Sequence, residues 1–426
     1  MKGATLDAMV ADALARRKAA NLQRQTMAWQ RRPGRCRPAS DQNGPWLVDL
    51  ASNDYLALSF HPHVRQTAQQ WLERWGAGAG ASPLVCGWHE GAARLEQRLA
   101  HLKQAEGALL FNSGWQANAC LLPALDQLSR LQTGQGLAVF NDRLNHASLH
   151  HGCAAAGVRQ KRFRHNDVAH LATLLEHHQA SLPAGERGGL KIIATESVFS
   201  MDGDRAPLHA LRALADRWGA LLLVDEAHAT GVLGPNGTGL TCASALEGGV
   251  KTTNAPVKVD ITLSTASKAL GGAGAFITGS KALREWLVNS ASGYVYSTAP
   301  PPAALGALEG ALDLLPTAKL AQARAALGRN AELLRQQLHS AGFETGASST
   351  HIVPVMAGSA EQALEMAVLL RDHGFFTVAI RPPTVPQGQA RLRLSLNAAL
   401  EDKDLEKLCT VLRMHCRPTG RQGRHG

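Results

Sequence analysis

The stretch from Lys258 to Thr278, KVDITLSTASKALGGAGAFIT, opens as an apolar strand and turns through Ser264, Thr265 and Ser267 to a lone lysine, Lys268. It leaves through Gly271, Gly272 and Gly274. A lysine after a buried strand suits Schiff-base chemistry, because partial burial lowers its pKa and frees the amine at neutral pH. Neighbouring hydroxyls can bind phosphate, and glycines let the backbone approach a ligand. A single lysine on a loop is more often a solvated surface group, so the rest of the chain has to decide.

Asp225 ends the apolar strand ALLLV, and His228 follows three residues later. A buried carboxylate needs a cationic partner. A protonated pyridine nitrogen would be one, and His228 could flank such a ring or its phenolic oxygen. LLLVDEAH also matches the magnesium-binding strand of nucleic-acid-dependent ATPases. Those need a phosphate loop of the form G-x-x-x-x-G-K-[ST], and the chain contains no Gly-Lys pair. Ser113-Gly114-Trp115 sits at a strand-to-helix turn, where backbone N–H groups and the helix dipole bind phosphate. An N-cap serine beside a core tryptophan explains it equally well. His146 follows the next strand and could stack on a flat ring, and Ser200 ends another strand within reach of a ring oxygen. In AIRPPTVPQGQARLRLSL, a proline-stiffened loop carries Arg381 and Thr384. Arginine is suited to clamp a carboxylate.

The elements that must position these groups follow a regular order. Residues 4–30 read as an amphipathic helix with Leu6, Met9, Val10, Leu14 and Leu22 on one face, and RRPGRCRPASDQNGP reads as a turn-rich linker. GAGAGASP contains a loose dinucleotide fingerprint, but it follows a helix rather than a strand, which is the wrong context. Between 108 and 279, seven strand-like segments follow one another, most of them apolar and most separated by helical segments. That pattern predicts an α/β fold with a largely parallel sheet covered on both faces. The marked residues fall at the carboxyl ends of its strands, where such sheets bind ligands. Beyond Tyr296 the pattern changes to a smaller α+β domain. The expected division is an N-terminal helix and linker over 1–48, a large domain over 49–297, and a small domain over 298–426 with a polar tail.

The chain has 426 residues, 45% hydrophobic and 18% charged, which is ample for a sizeable core. Its net charge of +10 suits nucleic acid, an anionic membrane, or an acidic substrate such as a coenzyme A ester or a carrier protein, and an arginine-rich solvated surface accounts for it equally well. The seven cysteines are scattered, form no C-x-x-C and are odd in number. Neither a zinc site nor a disulfide framework is expected, and the compartment is expected to be the reducing cytoplasm. The N-terminus carries Asp7 and Asp12 and lacks an apolar signal core. No run of about 18 apolar residues occurs, so no membrane span is expected.

Five pieces in order, SGWQAN, NDRLNHASLHHG, ESVFSMDGDRAPL, LLVDEAHATGVLG and STASKALGGAGA, resemble the α-oxoamine synthase family of fold-type-I pyridoxal-phosphate enzymes. SNDYLALS fits as well, and together the pieces span most of residues 45–400. The resemblance implies pyridoxal 5'-phosphate as cofactor, a homodimer, and no metal, nucleic acid or membrane. Lys268 would form the Schiff base with the cofactor and Asp225 would pair with its pyridine nitrogen. His228 and Ser200 would contact the ring and its oxygen, and His146 would stack on it. Gly114, Trp115 and Thr265 would lie near its phosphate. Arg381 would hold the amino-acid carboxylate, Thr384 would line the substrate site, and Arg24 would lie near the acyl substrate. AIRPPTVPxGxARLR resembles the branch that condenses L-alanine with a pimeloyl thioester of coenzyme A or a carrier protein. Sister branches use glycine or serine with another acyl-CoA, and a non-catalytic pyridoxal-binding protein need not keep the lysine. The chain departs from the family in Trp115, where Phe or Tyr is usual, in a longer loop LDQLSRLQTGQG, and in an expanded TCASALEGGVKTTNAPV.

Overall fold

Apolar runs buried on both faces build the larger of two units, which comprises Asn53–Ser200 and Asp204–Ala326. The computed structural model describes residues 5–183, 188–242, 246–247, 250–251 and 256–416. The larger unit's central strands are β1 (Gly107–Phe111), β2 (Ala138–Asp142), β3 (Lys161–Phe163), β4 (Lys191–Glu196), β5 (Ala220–Asp225), β6 (Ile261–Thr265) and β7 (Ala275–Gly279). They form one seven-stranded sheet in the order β1-β7-β6-β5-β4-β2-β3. The pairs from β6 through β3 are parallel, and β7 alone opposes both of its neighbours. This is the mostly parallel α/β sheet that the alternating runs imply.

Successive side chains of a strand point to opposite faces. Val139, Ile192 and Leu223 enter one core with Leu121 and Leu125 of helix α1 (Gly114–Thr133). Their neighbours Phe140, Ile193 and Leu222 enter the other. There they meet Leu171 and Leu175 of α3 (Val168–Ala180) and Leu211 of α4 (Leu208–Trp218). Helix α2 (Ala147–Ala155) follows β2. Each fully buried large apolar side chain contributes about 1.5–3 kcal/mol. Two-sided burial is why β5 reads ALLLV rather than alternating with polar residues.

The expected loop LDQLSRLQTGQG is for the most part helix. It supplies the last turns of α1, where Leu125 and Ser129 are buried, and the helix stops at Gly134 in the left-handed region (φ 72°). The expanded TCASALEGGVKTTNAPV lies for the most part outside the described residues, as does the tail 417–426.

The smaller unit comprises Met1–Ser52, Met201–Gly203 and Leu327–Gly426. Its strands Ile352–Gly358, Ala390–Ser395 and Val378–Ile380 form an antiparallel sheet with Ala390–Ser395 in the middle. Helices Ala360–Asp372 and Asp402–His415 belong to the same unit. The expected helix over 4–30 is shorter, spanning Leu6–Ala19. Asn21 then adopts a left-handed backbone (φ 56°), which ends the helical path. None of the helix is buried, so Leu6, Met9, Val10 and Leu14 make no core. The expected linker instead contributes a hairpin, with Trp29–Arg32 paired to Arg35–Pro38 around Pro33-Gly34. Gly34 supplies the positive φ (64°) that this tight turn needs.

Candidate active site

The carboxyl ends of β1, β2, β4, β5 and β6 deliver most of the candidate residues within the larger unit. After β6 the chain makes a closed turn. The Ala266 N–H donates to Gly274 O (2.9 Å), and the Gly272 N–H donates back to Ala266 O (2.9 Å). Thr265 Oγ1 donates to Gly274 O (2.9 Å) and lies 2.7 Å from Ser267 Oγ. Gly271 has φ 65°, and a Cβ there would strike the backbone of Leu58 and Ser59. Any larger residue would push this turn off the segment that carries Tyr55. Lys268 projects from the turn, half-buried, with Nζ 2.8 Å from His228 Nε2.

His228 is buried, and its Nδ1 lies 2.7 Å from the hydroxyl of fully buried Tyr55. Asp225 is 6% exposed. Its Oδ1 accepts from the Ala227 N–H (2.9 Å) and its Oδ2 from Asn118 Nδ2 (3.1 Å). Among the described residues no lysine or arginine forms an ion pair with it. Its cross-strand neighbour Glu196 is also buried. Burial first, and then the charge of Asp225, pushes the Glu196 carboxyl well above the usual range. Glu196 also accepts the backbone N–H of His146.

His146 caps α2, and its Nδ1 lies 2.8 Å from Ser148 Oγ. The residue is exposed as a whole, and its ring is part-buried where it meets Ser148. Burial lowers its pKa against the opposing pull of Asp225, and Lys268 lowers it further. Trp115 is 47% exposed, with its ring edge-on to His146 at 6.2 Å. Gly114 and Trp115 occupy the first turn of α1 behind the Ser113 cap, where backbone N–H groups have no carbonyl inside the helix. Ser200 is nearly buried beyond β4. The larger unit therefore brings together Lys268, Asp225, His228 and His146, with Thr265, Gly114, Trp115 and Ser200 on the adjoining strand-end turns.

Arg24, Arg381 and Thr384 lie in the smaller unit. Arg24 Nη2 donates to Thr384 Oγ1 (3.1 Å), and Arg381 Nη2 donates to Gln23 O (2.9 Å). All three line a cavity of about 680 Å³ together with apolar Met27, Trp29 and Ile380.

Sequence reasoning missed three groups. Tyr55 lies in SNDYLALS, where nothing in the local spacing points to His228. Asn118 carries no spacing signal, because only the rotation of α1 turns it toward Asp225. Glu226 looks like the metal-binding carboxylate of an ATPase, but it is ion-paired with Lys103 Nζ (2.7 Å). Lys103 also donates to Thr230 Oγ1 (2.7 Å) and Thr238 O (2.6 Å), with both charged side chains fully buried.

The family model described as aminotransferase class I and II matches residues 46–412. The 8-amino-7-oxononanoate synthase of Gluconacetobacter diazotrophicus is 52% identical over 379 residues, covering 89% of this chain and 90% of that protein. Two solved structures are similar over 96% of this chain. A serine palmitoyltransferase from Sphingomonas wittichii matches with TM-score 0.82 and 28% identity over 98% of its own length. A structure described as SPT with a PLP internal aldimine matches with TM-score 0.81 and 29% identity over 96% of its length. Among the described residues no helix is long and apolar enough to cross a membrane.

Proposed function

The chain belongs to the aminotransferase class I and II family, and on that premise we propose that it condenses L-alanine with a pimeloyl thioester. The products are 8-amino-7-oxononanoate, carbon dioxide and the free thiol, as in the assembly of biotin. The acyl donor is a coenzyme A or carrier-protein thioester, and the protein works as a cytoplasmic homodimer.

The residues fit pyridoxal phosphate as cofactor. A buried carboxylate without an ion pair among the described residues, Asp225, suits a cationic pyridine nitrogen. A half-buried primary amine, Lys268, and the N-terminus of α1 complete the set, the latter suited to a phosphate. When bound, pyridoxal phosphate supplies an aldehyde carbon for amine exchange and a cationic ring that withdraws electrons from the amino acid's Cα.

Lys268 holds the cofactor and, when its amine is free, takes the Cα proton at Nζ. Asp225 keeps the ring nitrogen protonated, with Asn118 and the Ala227 N–H fixing its carboxylate. His228 orients the Lys268 amine and, with Ser200, would face the ring oxygen. His146, whose pKa burial lowers, would stack on the ring and hydrogen-bond the new carbonyl. Gly114, Trp115 and Thr265 would hold the cofactor near its phosphate. Arg381 clamps the alanine carboxylate, Thr384 lines the substrate site, and Arg24 lies near the acyl substrate.

The observation that carries this reading is the 2.8 Å approach of Lys268 Nζ to His228, three residues beyond the buried Asp225. The test is the visible spectrum of the purified protein before and after L-alanine, glycine and L-serine. A yellow band, lost on borohydride treatment and perturbed most by L-alanine, is expected. In Lys268→Ala, borohydride should no longer fix the cofactor covalently to the protein, and all turnover should be lost while the chain remains folded. The similarity to serine palmitoyltransferase structures supports a second reading, a sister synthase, and a response greatest for L-serine would select it.

A further inference from the structure

We propose that His165 is a positioning residue, an imidazolium that bridges the two turns carrying His146 and Ser200 and fixes both. The roles of those two residues rest on the function proposed above, whereas the bridge rests on geometry alone. His165 lies two residues beyond the end of β3. Its Nδ1 lies 3.1 and 3.2 Å from the two oxygens of Asp142, and its Nε2 lies 2.7 Å from Asp204 Oδ2. Asp142 is completely buried and Asp204 is 5% exposed.

A neutral imidazole has one N–H and one lone pair, so it would turn a lone pair toward a buried carboxylate on one side. Only the doubly protonated ring donates to both. Burial by itself would lower its pKa. The hydrogen bonds and charges of Asp142 and Asp204, the charged groups acting on it, outweigh that and raise it to about 10. Asn166 reinforces the bridge, its backbone N–H donating to Asp142 Oδ2 (2.9 Å) and its Nδ2 to Asp204 Oδ2 (2.9 Å).

Each carboxylate organises one turn. Asp142 Oδ1 also accepts the Leu144 N–H (2.9 Å), and its carbonyl accepts the Asn145 N–H (3.1 Å). Asn145 Nδ2 then donates to Ala194 O (2.8 Å) on β4, and the next residue is His146. On the other side, Asp204 O accepts the Phe199 N–H (3.1 Å), and Val198 bridges to Arg205. The Phe199 ring meets His165 edge-on at 4.4 Å, one residue before Ser200. The mechanism uses neither His165 nor Asp204, yet both His146 and Ser200 are reached from them through one or two hydrogen bonds.

The test uses the full-length protein with ¹⁵N-labelled histidine, with and without pyridoxal phosphate, at pH 8, beside a His165→Gln variant. In the unaltered protein both ring nitrogens of His165 should be protonated at this pH. The variant should shift the His146 ring signals while the other histidines stay dispersed. Its kcat/KM should fall by roughly a hundredfold, the scale of an ångström-sized misplacement. A neutral His165 at pH 8 overturns the proposal. So does a folded variant with unmoved His146 signals or full activity. If the variant fails to fold, the spectrum of the unaltered protein decides, a protonated ring supporting the bridge and a neutral one ending it. Loss of synthase activity in the unaltered protein would instead overturn the proposed reaction, and the spectra would still decide the bridge.

Discussion

The hydroxyl of Tyr55 lies 2.7 Å from Nδ1 of His228, on the opposite side of the imidazole from Lys268. Tyr55 donates its own proton to Asn53 Oδ1 (3.0 Å), so toward His228 it accepts. That places the histidine proton on Nδ1 and leaves the Nε2 lone pair facing the Lys268 amine. A buried hydroxyl thus sets the tautomer of the imidazole that faces the Lys268 amine.

Tyr55→Phe removes this acceptor with little change in volume. One neutral hydrogen bond is worth about 1 kcal/mol net, so kcat should fall roughly fivefold while KM for L-alanine stays near its original value. Steady-state kinetics check this. An unchanged kcat would mean that another group sets the tautomer.

Lys103 and Glu226 form a fully buried pair directly beyond Asp225. Lys103→Met leaves Glu226 charged with no cation, and breaking a buried pair from one side costs about 3–5 kcal/mol. A clear drop in the thermal midpoint is expected. Adding Glu226→Gln should recover only part of it. Glu226 Oε1 accepts the N–H groups of both Leu240 (2.6 Å) and Thr241 (3.0 Å), and an amide can present its oxygen to them but has to turn its NH₂ toward Thr241 Oγ1 and the site of the lost lysine. Calorimetry of the single and double variants separates the two contributions.

His165 predicts a pH dependence of stability. Its folded pKa is raised to about 10 from an ordinary value of 6.5. Below that ordinary value both folded and unfolded chains are protonated and the full stabilisation is present. As pH rises toward about 10 the unfolded chain binds fewer protons than the folded one, and stability falls by about 1.4 kcal/mol per pH unit. Denaturant melts at several pH values should show this slope in the unaltered protein. In His165→Gln the slope should be smaller by that amount.

The sheet was legible because most of its strands are continuous apolar runs with turn signals between them, and ALLLVDEAH and STASKALGG end on the residues that matter. Lys268, Asp225, His228 and His146 could be marked because each follows such a run. The segment 20–40 was not legible as strand. QRRPGRCRP carries too many charges to look like a sheet, and it pairs only because Pro33-Gly34 folds it back on itself. The bonds made by Tyr55, Asn118, Lys103 and His165 were also out of reach, since each joins segments far apart in the chain. Local spacing holds no information on the partners of a buried polar group.

Arg24 and Arg381 line one cavity in the smaller unit, among apolar Met27, Trp29 and Ile380. A cationic rim over an apolar wall suits a ligand with a carboxylate and a hydrocarbon chain, and the two arginines are expected to serve different substrates. Arg381→Lys keeps the charge but loses the planar fork that grips a carboxylate. A charge-assisted hydrogen bond is worth about 1.5–3 kcal/mol, so KM for L-alanine should rise roughly tenfold or more, with KM for the pimeloyl thioester little changed. Arg24→Ala should show the reverse pattern and should also free the Thr384 hydroxyl, to which Arg24 Nη2 donates at 3.1 Å. Initial rates measured over both substrates distinguish the outcomes. If both variants raise the same KM, the two arginines act on one substrate and the division of roles fails.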